Sequence, residues 1–385
     1  MGQTNVFSQI IKLIPRTEFE SLVFKHSGNH GVRTLDCWTW FGALLFGQLT
    51  GHDSIRAIER VFANIDPQMG RLGFGPVRRS TLADANKKRP LEILEDVFGY
   101  LLKRAKSQAP NHKFGFKGQV LALDASVINL SLKLMPWAQK SSQEASIKLH
   151  TAIDLAGDLP EIVVLGNGKD QDMKVARQEM KFKSGSTIIF DKGYSNYSWY
   201  QNLTDSGVYF VTRIKDYVTF KVVRSHPTDR TQGYICDQEI YIQGQTAKYG
   251  AKLGKLRRIS FRDPKTGKKL CFLTNRFDLD TKTICDLYKA RWNVELFFKT
   301  LKQNLKIKKF LGTTTHAVYA QIWVALIAYL LIQLLRYGHK VTISIPDTMA
   351  VISVLLLLRE PLSRLLGRLP RETRSQHHLQ LAMNI

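Results

Sequence analysis

The sequence predicts an α/β layer structure behind a helical N-terminal domain, and three observations carry that expectation. Apolar residues recur at intervals near 3.6 through the first 110 positions. Beyond Lys117, short continuous apolar runs alternate with helical stretches, the pattern of strands covered by helices. From about residue 281 to residue 304, good helix formers continue with neither Pro nor Gly.

In the N-terminal region the spacing predicts helices over 17–25, 35–48, 54–63 and 90–106, the last opened by Pro90, which suits a first helical turn. Between the last two lies Arg78-Arg-Ser-Thr-Leu-Ala-Asp-Ala-Asn-Lys-Lys-Arg89, where Ser80 is placed to cap a short basic helix after the glycine-bearing turn at 70–75. Short helices with a basic one among them fit a DNA-binding bundle of helix-turn-helix type, although a basic amphipathic helix is often only a solvated one. Next, Gln119-Val-Leu-Ala-Leu-Asp124 reads as a central strand, buried on both faces and ending in an acid. Segments 126–131, 145–155 and 160–166 follow as an antiparallel meander, and Asp170 or Asp172 opens a helix to about residue 181. Ser186-Thr-Ile-Ile-Phe-Asp191 is a second buried strand ending in an acid; after the turn Lys192-Gly193-Tyr194, Asn196 caps a helix and 208–214 forms another strand. The stretch 215–275 is polar and strand-rich, with a hairpin of 256–262 and 269–274 about Asp263-Pro-Lys-Thr-Gly267, and reads as an inserted β domain. Asp278 or Asp280 caps the long helix, followed by helices at 317–337 and 348–358 and a basic tail from Arg359. The expected division is a helical DNA-binding domain (1–112), a core in two parts (113–214 and 276–340) around a β insertion (215–275), and a C-terminal helical and basic tail (341–385).

Lys and Arg number 56 against 32 Asp and Glu, a net charge of +24 over 385 residues. Such an excess calls for a polyanionic partner, nucleic acid ahead of an anionic membrane. The length and the 44% hydrophobic content set the chain apart from purely structural nucleic-acid proteins. Cys37, Cys236, Cys271 and Cys285 have no Cys-x-x-Cys spacing, so they indicate neither zinc nor a disulfide framework and suit a reducing cytoplasm. The first thirty residues carry Glu18 and Glu20 and no continuous apolar run, which argues against a signal peptide. Segment 317–335 approaches a membrane span in length, but Gln321 and Gln333 favour a buried core helix.

Within the long helix, Tyr288, Arg291, Glu295 and Lys302 fall in an arc of about 60°, beside an apolar stripe of Ile284, Leu287, Val294, Phe298, Leu301 and Leu305. Alone, that face reads as solvated, with Arg291, Glu295 and Lys299 in i, i+4 ion pairs. Its company changes the reading. Asp124 and Asp191 each end a buried apolar run, at the carboxyl edge where open α/β sheets keep their ligands, and Glu295 stands on a helix whose apolar flank can pack on that sheet. Three carboxylates brought together cannot all remain ionised without cations. Two Mg²⁺ ions about 3.5–4 Å apart, with Mn²⁺ an able substitute, relieve this and clamp the attacking and leaving oxygens of a phosphoryl displacement. Water or a DNA 3′-hydroxyl then serves as nucleophile. Asp154, Asp170 and Asp172 stand where turns and caps favour Asp; His150 and His316 read as packed or capping residues, and His377-His378 has no partner spacing. Gly166-Asn-Gly168 lacks the Lys-Ser/Thr of a nucleotide loop.

Asp124, Asp191 and Glu295, with the run Tyr288-x2-Arg291-x3-Glu295-x6-Lys302, resemble the DDE transposases of the insertion-sequence-four family, whose signature is that Tyr-Arg-Glu-Lys run. Asp191-Lys-Gly-Tyr194 and Phe272-Leu-Thr-Asn275 are further matches, and the resemblance covers nearly the whole chain. It implies an RNase H-like core, a mixed sheet with flanking helices, interrupted by a β insertion between the second and third acids. It also implies that Asp124, Asp191 and Glu295 are the catalytic metal ligands and that Arg291 and Lys302, supported by Tyr288, contact DNA phosphate. Some relatives carry a base-stacking Trp in the insertion. Here 215–275 has none, and Tyr217, Tyr234, Tyr241 and Tyr249 are the residues able to stack. The expected function is a bacterial insertion-sequence transposase that binds inverted-repeat ends in double-stranded DNA, cleaves them with Mg²⁺ and transfers the strand to target DNA. It would act as a homodimer on paired ends, in the cytoplasm at the nucleoid and apart from any membrane. A catalytically inactive DNA-binding regulator and a stand-alone RNase H-like nuclease are the alternatives; the acid triad argues against the first, the basic bundle and insertion against the second.

Overall fold

The computed structural model describes residues 4–64, 70–243, 253–264, 266–305, 307 and 309–367. Tyr249, His377, His378 and the end of the basic tail lie outside the described residues. Helices open the chain: α1 (Val6–Ile11), α2 (Arg16–Lys25), α3 (Cys37–Thr50), α4 (Ile55–Asn64), α5 (Arg79–Lys88) and α6 (Glu92–Gln108). There follow β1 (Val120–Leu130), β2 (Ala145–Asp154), β3 (Leu159–Asn167), α7 (Asp172–Gln178), β4 (Thr187–Ile189), a 3₁₀ turn at Lys192–Tyr194, α8 (Tyr197–Asp205) and β5 (Tyr209–Arg213). Next come β6 (Phe220–His226), β7 (Tyr234–Ile242), β8 (Leu256–Arg262) and β9 (Lys269–Thr274). The chain closes with α9 (Thr281–Ala290), α10 (Trp292–Gln303), α11 (Thr315–Gly338), α12 (Ile345–Leu355) and α13 (Leu362–Gly367). Two compact units result, one of Met1–Ala109, Leu130–Ala138 and Lys299–Ile385, the other of Pro110–Asn129 and Gln139–Phe298.

In the helical unit, α11 packs against α3, α5, α6 and α12. Among the described residues it is the helix long and apolar enough to cross a membrane, and it is buried as a core helix. The two glutamines that mark it as such are both buried, and Gln321 ties the preceding loop down by accepting from Leu311 N at 2.8 Å and donating to Lys309 O at 2.8 Å. Two local readings are corrected. Helix α1, six residues long, is too short to show a period in sequence; the Asn5 side chain caps it, accepting from Ser8 N at 2.8 Å. Ser80 does not cap α5. Arg78 holds the cap position without a side-chain bond, and the Arg79 N–H is taken instead by a Glu59 carboxylate oxygen on α4, at 2.9 Å.

The other unit is built on a nine-stranded sheet in the order β3-β2-β1-β4-β5-β9-β8-β7-β6. Strand β4 is parallel to both β1 and β5, while β5 to β9 and the remaining insertion pairs are antiparallel, so the sheet is mixed. The central strands are buried on both faces and sort their side chains by the two-residue period. Leu121, Leu123, Ile188, Phe190 and Phe210 join the core under α8 with Trp199 and Tyr200, whereas Val120, Ile189 and Val211 join the core under α9 with Ile284 and Leu287. Strand β1 does not end at Asp124; it continues to Leu130 and absorbs the strand expected at 126–131.

The strand-rich stretch after Lys215 extends the same sheet, because β9 pairs with β5 from Val211↔Thr274 to Arg213↔Phe272. The residues at its end secure that joint. The Thr274 hydroxyl donates to Phe210 O at 2.5 Å, and Asn275 accepts from Phe210 N at 2.8 Å while donating to Val208 O at 2.9 Å. The single helix expected over 281–304 is instead two, α9 and α10, broken at Arg291. Arg291 N bonds Tyr288 O and Val294 N bonds Arg291 O, both at 3.1 Å, and these i to i+3 closures tighten the joint away from α-helical geometry. Asp280 caps α9, accepting from Thr283 N at 2.6 Å.

Candidate active site

The parallel register sets the site. Strands β1 and β4 align Val120 with Thr187 and Ala122 with Ile189, and Asp124 and Asp191 each lie two residues beyond that last aligned pair. Alternation puts Asp124 on the face of Val120 and Ala122, the face that α9 covers. One oxygen of each carboxylate is held by backbone: Asp124 Oδ1 accepts from Ala125 N at 2.8 Å, and Asp191 Oδ1, capping the 3₁₀ turn, accepts from Lys192 N at 2.5 Å. From the joint between α9 and α10, the Arg291 guanidinium lies 3.6 Å from Asp124 Oδ2 and 2.6 Å from Glu295 Oε1. It therefore bridges the first and third acids, from a side chain 16% exposed against 26% for Asp124 and 32% for Glu295.

Burial pushes the Asp124 carboxyl up from its ordinary 3.8 to about 6; Ala125 and Arg291 pull it down, and the charges of Glu295 and Asp191 push the same way as burial. Burial also raises the Tyr288 hydroxyl, against the pull of Arg291. That ring meets Phe272 at a tilt, ring centres 4.9 Å apart, and lies 6.0 Å beneath the Arg291 guanidinium. Lys302 sits in the last turn of α10, half-buried and in the helical unit, on the same helix as Glu295.

The other acids and histidines have structural duties. Asp154 accepts from Gln119, just before the start of β1, at 2.8 Å. Asp170 accepts from Asn167 N at 2.6 Å, closing a turn. Asp172 pairs with Lys148 at 2.9 Å and lies 3.7 Å from His150, a buried imidazole whose pKa burial pushes down against the pull of Asp172. His316 bonds the carbonyl of Arg89. Of the proposed stacking residues, Tyr217 is 73% exposed with Lys215 over its ring, Tyr241 is exposed, and Tyr234 meets Phe261 at a tilt, ring centres 5.5 Å apart.

Oxygen-only donors carrying an excess of negative charge suit a hard divalent cation in kind. Among the described residues no group of three His, Cys, Asp or Glu side chains stands at ligating separation, and Arg291 supplies positive charge between two of the acids. Sequence reasoning missed two features here. Arg291 pairs with Asp124 as well as Glu295, and the buried hydroxyl of Tyr194 feels the charges of Asp124, Asp172 and Asp191. The only sequence signal for the second is the run Asp191-Lys-Gly-Tyr194.

Residues 115–331, more than half of the chain, match the family described as the transposase DDE domain. The chain belongs to the DDE transposase family. A DDE domain implies divalent-metal dependence and a DNA-cutting enzyme. The same transposase matches, over residues 2–74, a family described only as a domain of unknown function. It is 31% identical to the protein named transposase y4zB of Sinorhizobium fredii, over 69% of this chain and 73% of that one. It is 27% identical to a transposase named for insertion sequence element IS5377 of Geobacillus stearothermophilus, over 70% of each. Among solved structures, the piggyBac transposase synaptic complex with hairpin DNA aligns at 13% identity with a TM-score of 0.43, over 97% of this chain and 82% of that chain, too distant to bear on fold or reaction.

Proposed function

We propose that this transposase belongs to the insertion-sequence-four group, with Tyr288, Arg291, Glu295 and Lys302 as its signature and an RNase H-like core, and that it moves its element by cut-and-paste. The observation that supports this best is the parallel pairing of β1 with β4, with Asp124 and Asp191 each two residues past its last aligned pair and Glu295 tied to Asp124 through Arg291. Asp124, Asp191 and Glu295 would hold two Mg²⁺ ions, which when bound stabilise the attacking and leaving oxygens of the cleaved phosphodiester. The chain's own work is positional. Backbone bonds aim the two aspartates, Arg291 faces phosphate with a planar guanidinium, and Lys302 adds charge along the same helix. Helix α5 would read the element's ends in the helical region before residue 113. Arg78, Arg79, Lys87 and Lys88 are exposed there, whereas Arg89 is spent inside the unit on the carbonyls of Gly28 and Leu35. Pairing two ends implies a homodimer on double-stranded DNA, acting in the bacterial cytoplasm.

The test is incubation of the full chain with a linear fragment carrying the element's ends, in Mg²⁺ and in EDTA, beside Glu295→Gln. Cleavage only with Mg²⁺, lost in the variant while gel-shift affinity survives, is the expected result. Equal cleavage by both proteins would remove Glu295 from the site, and binding with no Mg²⁺-dependent cut would favour a regulatory DNA-binding role.

A further inference from the structure

Tyr194 ends the 3₁₀ turn that Asp191 caps, with its side chain 4% exposed and its ring 6.1 Å from Phe190. Its hydroxyl is sealed from solvent and has no hydrogen-bond partner among the described residues. Buried phenols ordinarily find a partner, and a phenylalanine would fill the same space without an orphaned O–H. The charges acting on that oxygen are, beyond burial, the carboxylates of Asp124, Asp172 and Asp191, with Asp124 the strongest, opposed by Arg291. Helix α7, which carries Asp172, packs against the turn itself. An O–H donor without an acceptor among the described residues is thus enclosed in the turn that Asp191 caps.

We propose that Tyr194 is a positioning residue: its enclosed O–H donates to an oxygen of Asp124 once a divalent cation gathers the carboxylates, fixing which lone pairs face the metal. This rests on the metal-dependent reading of the same site. In that role the hydroxyl would serve the metal-loaded site and add nothing to the fold, so stability and function should respond to its removal in opposite directions.

Tyr194→Phe keeps the ring and deletes only the oxygen. The experiment measures Mn²⁺ binding to the full-length protein by electron paramagnetic resonance of the free ion, together with the melting temperature in EDTA. The expected variant binds Mn²⁺ about tenfold more weakly, melts at or above the wild-type temperature, and shifts end DNA unchanged. Wild-type Mn²⁺ affinity in the variant would overturn the proposal, as would a lower melting temperature in EDTA, which would mean that the hydroxyl serves the metal-free fold. If the wild-type protein bound no Mn²⁺ and Glu295→Gln cut as well as wild type, both this proposal and the metal-dependent reading would fall together; normal wild-type binding with an indifferent Tyr194→Phe would sink the Tyr194 role alone.

Discussion

A carboxylate half-sunk in protein beside two others is a charge under tension, and Asp124 shows the consequence for stability. Its folded pKa of about 6 lies above the ordinary 3.8, so between those values the folded chain keeps a proton that the unfolded chain releases. Stability from this group is therefore complete below about pH 4 and is lost as pH rises through 6. Asp124→Asn, which never ionises, is expected to match wild type in EDTA at pH 3.5 and to exceed it by ~1–3 kcal/mol at pH 7.5. Thermal melts at the two pH values check this; a gap of equal size at both would show that ionisation is not the cause. Asp124, Asp191 and Glu295 stood out in sequence because two of them end buried apolar runs and the third lies on an amphipathic helix. The double pairing of Arg291 was not, since it depends on a break in the helix at that residue and on a strand from another part of the chain.

Among elements, the hairpin β7–β8 is anchored to the start of α9 by a buried pair. Arg257 meets Asp237 through two bonds, 2.9 Å from Nε and 2.6 Å from Nη2, with side chains only 8% and 3% exposed. Thr281 at the first turn of α9 donates to the same carboxylate at 2.7 Å. Against the penalty of burial, the Arg257 and Thr281 hydrogen bonds hold the Asp237 carboxyl below its ordinary range. Arg257→Met should cost roughly 3–5 kcal/mol by leaving Asp237 buried and alone, whereas Arg257→Met with Asp237→Leu should recover most of it. Urea unfolding of the two variants reads this directly; an additive double variant would show that the pair does not couple β7–β8 to α9. The hairpin β8–β9 was read from its turn to the residue, but its attachment to β5 was not, because pairing partners are chosen by packing across long chain separation.

At the scale of the whole molecule, +24 of net charge means that DNA affinity should depend steeply on salt. Gel shifts on end DNA at rising KCl should give a linear loss of log affinity, and Arg79→Ala or Lys87→Ala should each reduce that slope by about one. A slope unaltered in both variants would move the contact surface away from α5. The same total charge could not say which cations are available. Arg89 belongs to the basic run by sequence, yet it serves two backbone carbonyls inside the helical unit.

The amino-acid order by itself determined most local elements, the apolar stripe of α9 and α10, and which acids stand out as candidates, because periodicity, caps and turn residues act over a few neighbours. Tertiary structure alone decided that β1 runs past Asp124, that β9 joins β5 in one sheet, that Arg291 stands between two acids, and that the buried Tyr194 hydroxyl has no partner among the described residues. Those outcomes follow from strand register and burial, which are settled by residues far apart in the chain competing for the same space.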